Sequence, residues 1–329
     1  MSYNYAAAKI RALEKRLLSQ NDLNLMVDAK NAEDSFAVFN DTNLADNLLR
    51  VKTREFEKAI TEELKQSRKL IEDITDDKKV LKLIFLKNDF HNVKVFFKEK
   101  ANGKVYPEKL ISDLGLVRTD DLERRILKGD KKIRFEKDFE STLQKIEKRL
   151  IGVDSPDAID NICDQEYFKL MADLSKDVGS RFIEDYFKLQ LDSINLRVLF
   201  RGKATGRPLG TLKDIFFEGG RFSKKDLLLL YPKDENQIIE FLRLRLFPSE
   251  KIWFEDYFKE RRLWQLEKAL DDMQMEYLKK SKLIAAGPEV IFAYIFANYN
   301  SLKNIRIIMV AKWNNILDKE IRRRVRQLF

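Results

Sequence analysis

One pattern, written twice without a gap and a third time in shorter form, constrains this chain more than anything else in it. Residues 89–104 read DFHNVKVFFKEKANGK, and residues 192–207 read DSINLRVLFRGKATGR. At a constant offset of 103, seven of the sixteen positions are identical: Asp89/Asp192, Asn92/Asn195, Val95/Val198, Phe97/Phe200, Lys100/Lys203, Ala101/Ala204 and Gly103/Gly206. Lys94/Arg197, Lys98/Arg201 and Lys104/Arg207 keep their charge. A third copy, NIRIIMVAK, starts at Asn304, with Arg306 and Lys312 at the spacing of Lys94 and Lys100. It has Ser301 where the others have aspartate, and it lacks the terminating glycine. Repetition on this scale means that variants of one supersecondary unit build the fold.

A second element, apolar-x-x-x-Asp-Leu, alternates with the first as Leu18…Asp22-Leu23, Val117…Asp121-Leu122 and Phe222…Asp226-Leu227. Ser19-x-x-Asp22 and Ser223-x-x-Asp226 have the form of a capping box, in which a serine oxygen accepts from an orphan amide and the acid answers back. Each Asp-Leu element precedes an asparagine element by 70, 74 and 78 residues, which divides the chain into units at 1–106, 107–213 and 214–329. Pro107 and Pro208 stand just past Gly103 and Gly206, the glycine cap and proline that stop a helix.

Within each unit the pattern is helical. Gly and Pro contribute only 11 and 6 residues, and straight-chain residues dominate. The spacing predicts helices over 54–75, 78–98, 138–151, 181–203, 250–283 and 289–312, the fifth with an apolar stripe of Phe254, Tyr257, Phe258, Leu266, Leu270, Met273 and Tyr277. The signature helices are apolar around most of their circumference, which places each at the centre of a bundle. The fold class is therefore all-α, in three similar helical domains. A buried asparagine on such a helix must find partners, so Asn92, Asn195 and Asn304 are expected to tie their helices to neighbours. Asp89, Lys94, Lys100, Asp192, Arg197, Lys203, Arg306 and Lys312 belong to the same repeated signature.

The composition excludes several classes. No apolar run in the C-terminal third approaches the roughly 20 residues of a spanning helix, and MSYNYAAAKIRALEKRLL lacks a signal-peptide core. The lone Cys163 excludes an internal disulfide; a soluble, intracellular protein is expected. Net charge is +9, but basic and acidic residues are mixed along most of the chain, and the one concentrated patch is Arg322, Arg323, Arg324 and Arg326. A solvated face or contact with an acidic partner fits that mixture better than a nucleic-acid groove. RGKATGR at 201–207 fails as a phosphate loop because Arg197 and Ala204 stand where Gly and Ser or Thr are required. Asp271-Asp272 lacks a third aspartate at Met275, Asp73, Asp76 and Asp77 mark a helix junction, and His91 has no second histidine. No catalytic, cofactor or metal site is expected.

At these residues the chain resembles the C subunit of bacterial and archaeal V/A-type ATPases, akin to the d subunit of eukaryotic V-ATPase. D-x-x-N-x-[KR] recurring at about one hundred residues, ending in N-I-R-I-I-x-x-x-K, carries the resemblance over essentially the whole chain; Ser301, and Ala311 in place of glycine, make the third copy least typical. The resemblance implies a funnel-shaped socket of three helical domains around a pseudo-threefold axis, with no nucleotide site. It implies a rotor part on the cytoplasmic side of the membrane, peripheral rather than spanning. Its partners would be the central-shaft subunits and the proteolipid ring, and it would couple the two for proton or sodium transport. Arg322, Arg323, Arg324 and Arg326 are the candidate partner contact. The alternatives are a helical-repeat scaffold or a basic nucleic-acid-binding protein.

Overall fold

The computed structural model describes residues 3–38, 53–246 and 248–329, and every regular element among them is helical. In chain order the helices are α1 (Tyr3–Glu14), α2 (Gln20–Asp28), α3 (Ala32–Ala37), α4 (Phe56–Ile74), α5 (Lys78–Asn102), α6 (Thr119–Ile126), α7 (Lys137–Arg149) and α8 (Pro156–Asp177). They continue as α9 (Arg181–Ala204), α10 (Leu209–Leu212), α11 (Lys224–Leu230), α12 (Glu235–Arg245), α13 (Pro248–Glu260), α14 (Leu263–Lys279), α15 (Pro288–Trp313) and α16 (Asp318–Arg324). The three signature helices are α5, α9 and α15, and each follows directly on a partner helix, α4, α8 or α14.

Their ends follow from local chemistry. Asp77 caps α5 by accepting the Lys79 and Val80 amides, Ser180 caps α9 through the Ile183 amide, and Pro288 opens α15 where a missing N–H costs nothing. Gly103, at φ +63, takes the left-handed conformation that ends α5. Both expected capping boxes form, with Ser19 and Ser223 accepting from the Asp22 and Asp226 amides. Leu23, Leu122 and Leu227 of the Asp-Leu elements are all buried.

The signature helices share one core over their N-terminal halves. Val80, Ile84 and Phe90 of α5, Ile183 and Phe187 of α9, and Val290, Phe292 and Ile295 of α15 belong to a single cluster. Phe292 meets Phe187 at 5.8 Å and Tyr186 at 5.2 Å between ring centroids, and the Lys87 ammonium lies 3.7 Å from the Tyr299 ring centroid. Beyond that level the helices part. The C-terminal half of α5 stays with Leu122, Leu143 and Cys163. That of α9, through Leu196, Leu199 and Phe200, enters a second core with Leu227, Ile238, Phe254 and Leu270. That of α15, through Ile305, Ile308 and Met309, enters a third core, whose other half is Leu23, Met26, Phe36 and Ile60 from the opposite end of the chain. The two ends of the sequence thus build one core between them.

The expected helix over 250–283 is broken. Arg261 takes φ +58, so α13 ends and α14 starts after a reversal, and residues 280–283 tighten into a 3-10 turn. The Arg261 side chain holds the corner by donating to the Phe258 carbonyl and to Asn236. The reversal puts Phe254 and Tyr257 of α13 in one core with Leu266 and Leu270 of α14. The apolar stripe is present, but it belongs to two antiparallel helices facing each other.

Because Ile308 is fully buried where the termini meet, Ile308→Ala should cost about 2–5 kcal/mol. Amide exchange should then rise in α2 and α3 as well as in α15. Loosening confined to α15 would show that the shared core does not hold the N-terminal helices.

Candidate functional site

Each signature asparagine grips one backbone residue in the loop that follows its helix. Asn92 donates to the Ser112 carbonyl at 2.7 Å and accepts the Ser112 amide at 2.8 Å. Asn195 makes the same pair with Phe217, at 2.8 and 2.9 Å, and Asn304 with Arg326, at 2.9 and 2.7 Å. All three side chains are fully buried. A neutral amide is the side chain that can satisfy both a backbone N–H and a backbone C=O at once.

The aspartate three residues earlier holds the next stretch of the loop. Asp89 accepts the Leu116 and Val117 amides at 2.9 Å each, and Asp192 accepts the Phe222 amide and the Arg221 guanidinium. The backbone comes so close that a Cβ at Gly115 would lie 2.2 Å from Asp89 Oδ1, and one at Gly220 2.3 Å from Asp192 Oδ1. Only glycine fits there. In the third copy Ser301 turns back to the Ala297 carbonyl, and α14 takes over its loop: Asp272 accepts the Gln327 amide and Asp271 accepts from Arg326.

The basic residue two places after each asparagine reaches an acid on a partner helix. Lys94 pairs with Asp164 of α8 at 2.8 Å, Arg197 with Asp271 of α14 at 2.8 Å, and Arg306 with Glu57 of α4 through both oxygens at 2.7 Å. Glu57, Asp164 and Asp271 are spaced by 107 residues at both steps. Sequence reasoning missed these acids, because the common interval is the one signal they carry and their surroundings are otherwise dissimilar. The signature lysine caps the Asp-Leu helix in two copies. Lys203 donates to the Tyr231 carbonyl beyond α11, and Lys312 to the Ala29 carbonyl beyond α2. Lys100 is exposed beside a surface cleft that also includes Arg125 and Glu147.

The same loops also touch the partner helix that precedes each signature helix. Lys65 and Arg68 of α4 bind the side chain and carbonyl of Asp113. Asn161 of α8 donates to the Asp214 carbonyl while Phe168 meets Phe217 at 4.7 Å. Asp271 and Asp272 of α14 hold Arg326 and Gln327. Three like joints therefore link α4 to the α5 loop, α8 to the α9 loop and α14 to the α15 loop.

Burial and pairing compete at these carboxylates. Burial alone would raise Asp271, but Lys303, Arg197 and Arg326 around it hold its pKa below the ordinary value. At Asp272, Asp164 and Asp192 burial outweighs the cation beside each, and the pKa rises. Burial pushes Asp89 up to about 6 against its two backbone donors.

The arginine cluster near the C-terminus faces its own chain. Arg322 reaches Asn24 and Asp28, Arg323 pairs with Glu260 at 2.6 Å, Arg324 stacks over Trp264, and Arg326 pairs with Asp271 at 2.9 Å. RGKATGR spans the last turn of α9 and the cap after it, with Arg201 bound to Glu267. His91 Nε2 lies 2.7 Å from the Leu110 carbonyl, and Cys163 is buried with its thiol pushed up to about 12. Among the described residues no group of three or more His, Cys, Asp or Glu converges as metal ligands, and no helix is long and apolar enough to cross a membrane.

Residues 6–324 match the family model described as the ATP synthase (C/AC39) subunit. The chain belongs to that family. The C subunit of A-type ATP synthase from Methanocaldococcus jannaschii is 25% identical over 97% of this chain and 85% of its own length. The C subunit of the V-type sodium ATPase from Enterococcus hirae is 19% identical over 100% and 99%, and that of A-type ATP synthase from Thermococcus kodakarensis is 23% identical over 76% and 72%. As the C subunit of a V/A-type ATPase, the protein is a non-catalytic member of its complex.

Asn195→Leu leaves the Phe217 N–H and C=O without partners in a buried site, so it should cost about 1–3 kcal/mol for each orphaned group. Urea melts check this; an unchanged melt with lost partner binding would mean that Asn195 faces a partner instead. Asp89 gives a pH signature. Unfolded, it releases its proton at about 4; folded, it keeps the proton up to about 6. Between those values the folded state binds the extra proton, so this group's contribution to stability falls as pH rises. Asp89→Asn should therefore lose stability less steeply than the parent protein between pH ~4 and ~6, measured as urea midpoints.

Proposed function

We propose that this C/AC39 protein is a central-rotor adaptor, a socket that couples the central shaft of a V/A-type ATPase to the proteolipid ring during proton or sodium transport. The cyclic set of joints carries the reading. α4, α8 and α14 each seal the loop of the next signature helix, and the third core draws on both ends of the chain. A closed ring of packed helices has no free end at which a twisting load could peel it open, and packed interiors compress little. Three sequence units at 1–106, 107–213 and 214–329 would then form three packing units staggered against them, each made of a signature helix and the elements after it. Helices that share a core at one end and enter three cores at the other give a funnel around a pseudo-threefold axis. The protein would sit peripherally on the cytoplasmic side, held by its ring contacts.

In this reading Arg322, Arg323, Arg324 and Arg326 lock the C-terminus onto α2, α13 and α14 rather than meeting a partner. The remaining surface, not this cluster, supplies the docking faces. Affinity capture of the tagged protein from detergent-solubilised membranes tests the reading. It should bring down the shaft subunits and the proteolipid ring together. Absence from the intact complex, or capture of nucleic acid released steeply by salt, would reject it.

A further inference from the structure

The signature lysine of the first copy lacks the partner that the other two have. Lys203 donates to the Tyr231 and Lys233 carbonyls and Lys312 to the Ala29 carbonyl, in each case closing the end of an Asp-Leu helix. The matching helix of the first copy, α6, is closed by its own loop instead. The Lys128 and Asp130 amides both donate to the Arg124 carbonyl, and the Arg124 guanidinium pairs with Asp130 at 2.7 Å. Lys100 is left exposed, with no hydrogen-bond or ion-pair partner among the described residues.

Lys100 lines a cleft of about 450 Å³ between the end of α5, the loop from α6 to α7 and the turn before α8. Lys131 lines it too, exposed and likewise without a side-chain partner among the described residues. Two acids share the cleft. Arg125, itself buried, takes Glu147 through both terminal nitrogens, so that carboxylate is already answered. Of the lining residues, only Asp154 then opposes the two lysines. The surrounding sequence adds to the excess: residues 124–134, RRILKGDKKIR, hold six basic residues and one acid, a concentration that the mixed charge of the whole chain hides. The rest of the lining is largely apolar, with Leu150, Ile151 and Ile159, and Ile151 is 81% exposed.

Two unanswered ammoniums on one cleft draw an anion, and lysine binds phosphate as a point charge. A carboxylate would answer one of them. A phosphate monoester, at about −1.5 to −2 near neutral pH and with three acceptor oxygens, answers both. Clefts of this size hold small molecules, and the apolar lining suits the group that the phosphate is attached to.

We propose that the cleft at the end of α5 binds a phosphate monoester bearing an apolar group, its phosphate held by Lys100 and Lys131 and its apolar part on Leu150, Ile151 and Ile159. A soluble ester and the headgroup of phosphatidic acid offer the same chemistry. The site does not depend on the adaptor reading, because neither shaft nor ring enters the argument for it.

The test uses the full chain with Lys100→Ala and Lys131→Ala combined. Lys213→Ala with Lys225→Ala is the control, which removes two exposed lysines outside the cleft. Binding of phenyl phosphate and of inorganic phosphate is measured by titration calorimetry at low salt, and binding to phosphatidic-acid vesicles by flotation. Neither cleft lysine holds a partner, so the double variant should melt like the parent protein. The parent should bind phenyl phosphate more tightly than inorganic phosphate. The double variant should bind phenyl phosphate about tenfold more weakly or worse, and the control should match the parent. Vesicle binding without phenyl phosphate binding, lost in the cleft variant alone, supports the site with a lipid headgroup as its source. A parent that binds neither phenyl phosphate nor vesicles overturns the proposal, as does unchanged affinity in the double variant. An equal loss in the control shows attraction to a diffuse basic surface and overturns it too. Equal affinity for the two phosphates overturns the apolar part of the assignment.

Discussion

A buried amide on an otherwise apolar helix sets the geometry of this fold. Asn92, Asn195 and Asn304 have no water to turn to, so each must find a donor and an acceptor together, and a single backbone residue 20 or 22 positions on supplies both. Shifting the loop by one residue would break two buried hydrogen bonds at once, at about 1–3 kcal/mol for each group left unpaired. The loop is therefore fixed in register as well as in position. Once it is fixed, the neighbouring partner helix has a defined surface to pack on, and the next unit is placed.

The apolar cores and the ion pairs divide the work at the joints. Arg306 and Glu57 are both about half exposed, and pairs of that kind contribute on the order of 0–1 kcal/mol. They cannot by themselves hold the chain closed. Ile305, Ile308 and Met309 packed on Leu23, Met26 and Ile60 supply the attraction, and the charges select which helix lies against which. Chain closure follows from burial, with polar contacts giving its register.

The repeat, the signature helices, the serine capping boxes and the glycine at the end of α5 are legible in the sequence, because each rests on residues close together in the chain. What depends on distant partners is hidden. The pairing of Lys94, Arg197 and Arg306 with acids 107 residues apart requires knowing which helices touch. The stripe through Phe254 and Leu270 reads as one helix because a reversal at Arg261 keeps the apolar face turned inward on both sides, and arginine gives no warning of a left-handed residue. The helix at 156–177 does not stand out, since Ile159, Cys163, Leu170 and Leu174 are diluted by eleven polar neighbours. Nor does sequence order show that Leu122 and Leu227 pack on the signature helix before them, whereas Leu23 packs on α15 at the far end of the chain.

The third copy shows how a repeat can drift while its loop stays held. Losing the aspartate at Ser301 removes a carboxylate that the first two copies use to hold their own loops. Its function moves to the neighbouring helix, where Asp271 and Asp272 hold Arg326 and Gln327. Asp271 also takes Arg197 and Lys303, so cations from α9, α15 and the C-terminal segment meet on one carboxylate. At the joint between α8 and the α9 loop, the contacts are Phe168 on Phe217 and the Asn161 and Gln165 amides on the Asp214 carbonyl. One joint thus uses an aromatic pair with amide contacts and the other a charge cluster. What the joint requires is a buried, well-packed seam with its asparagine satisfied, and either chemistry meets that requirement.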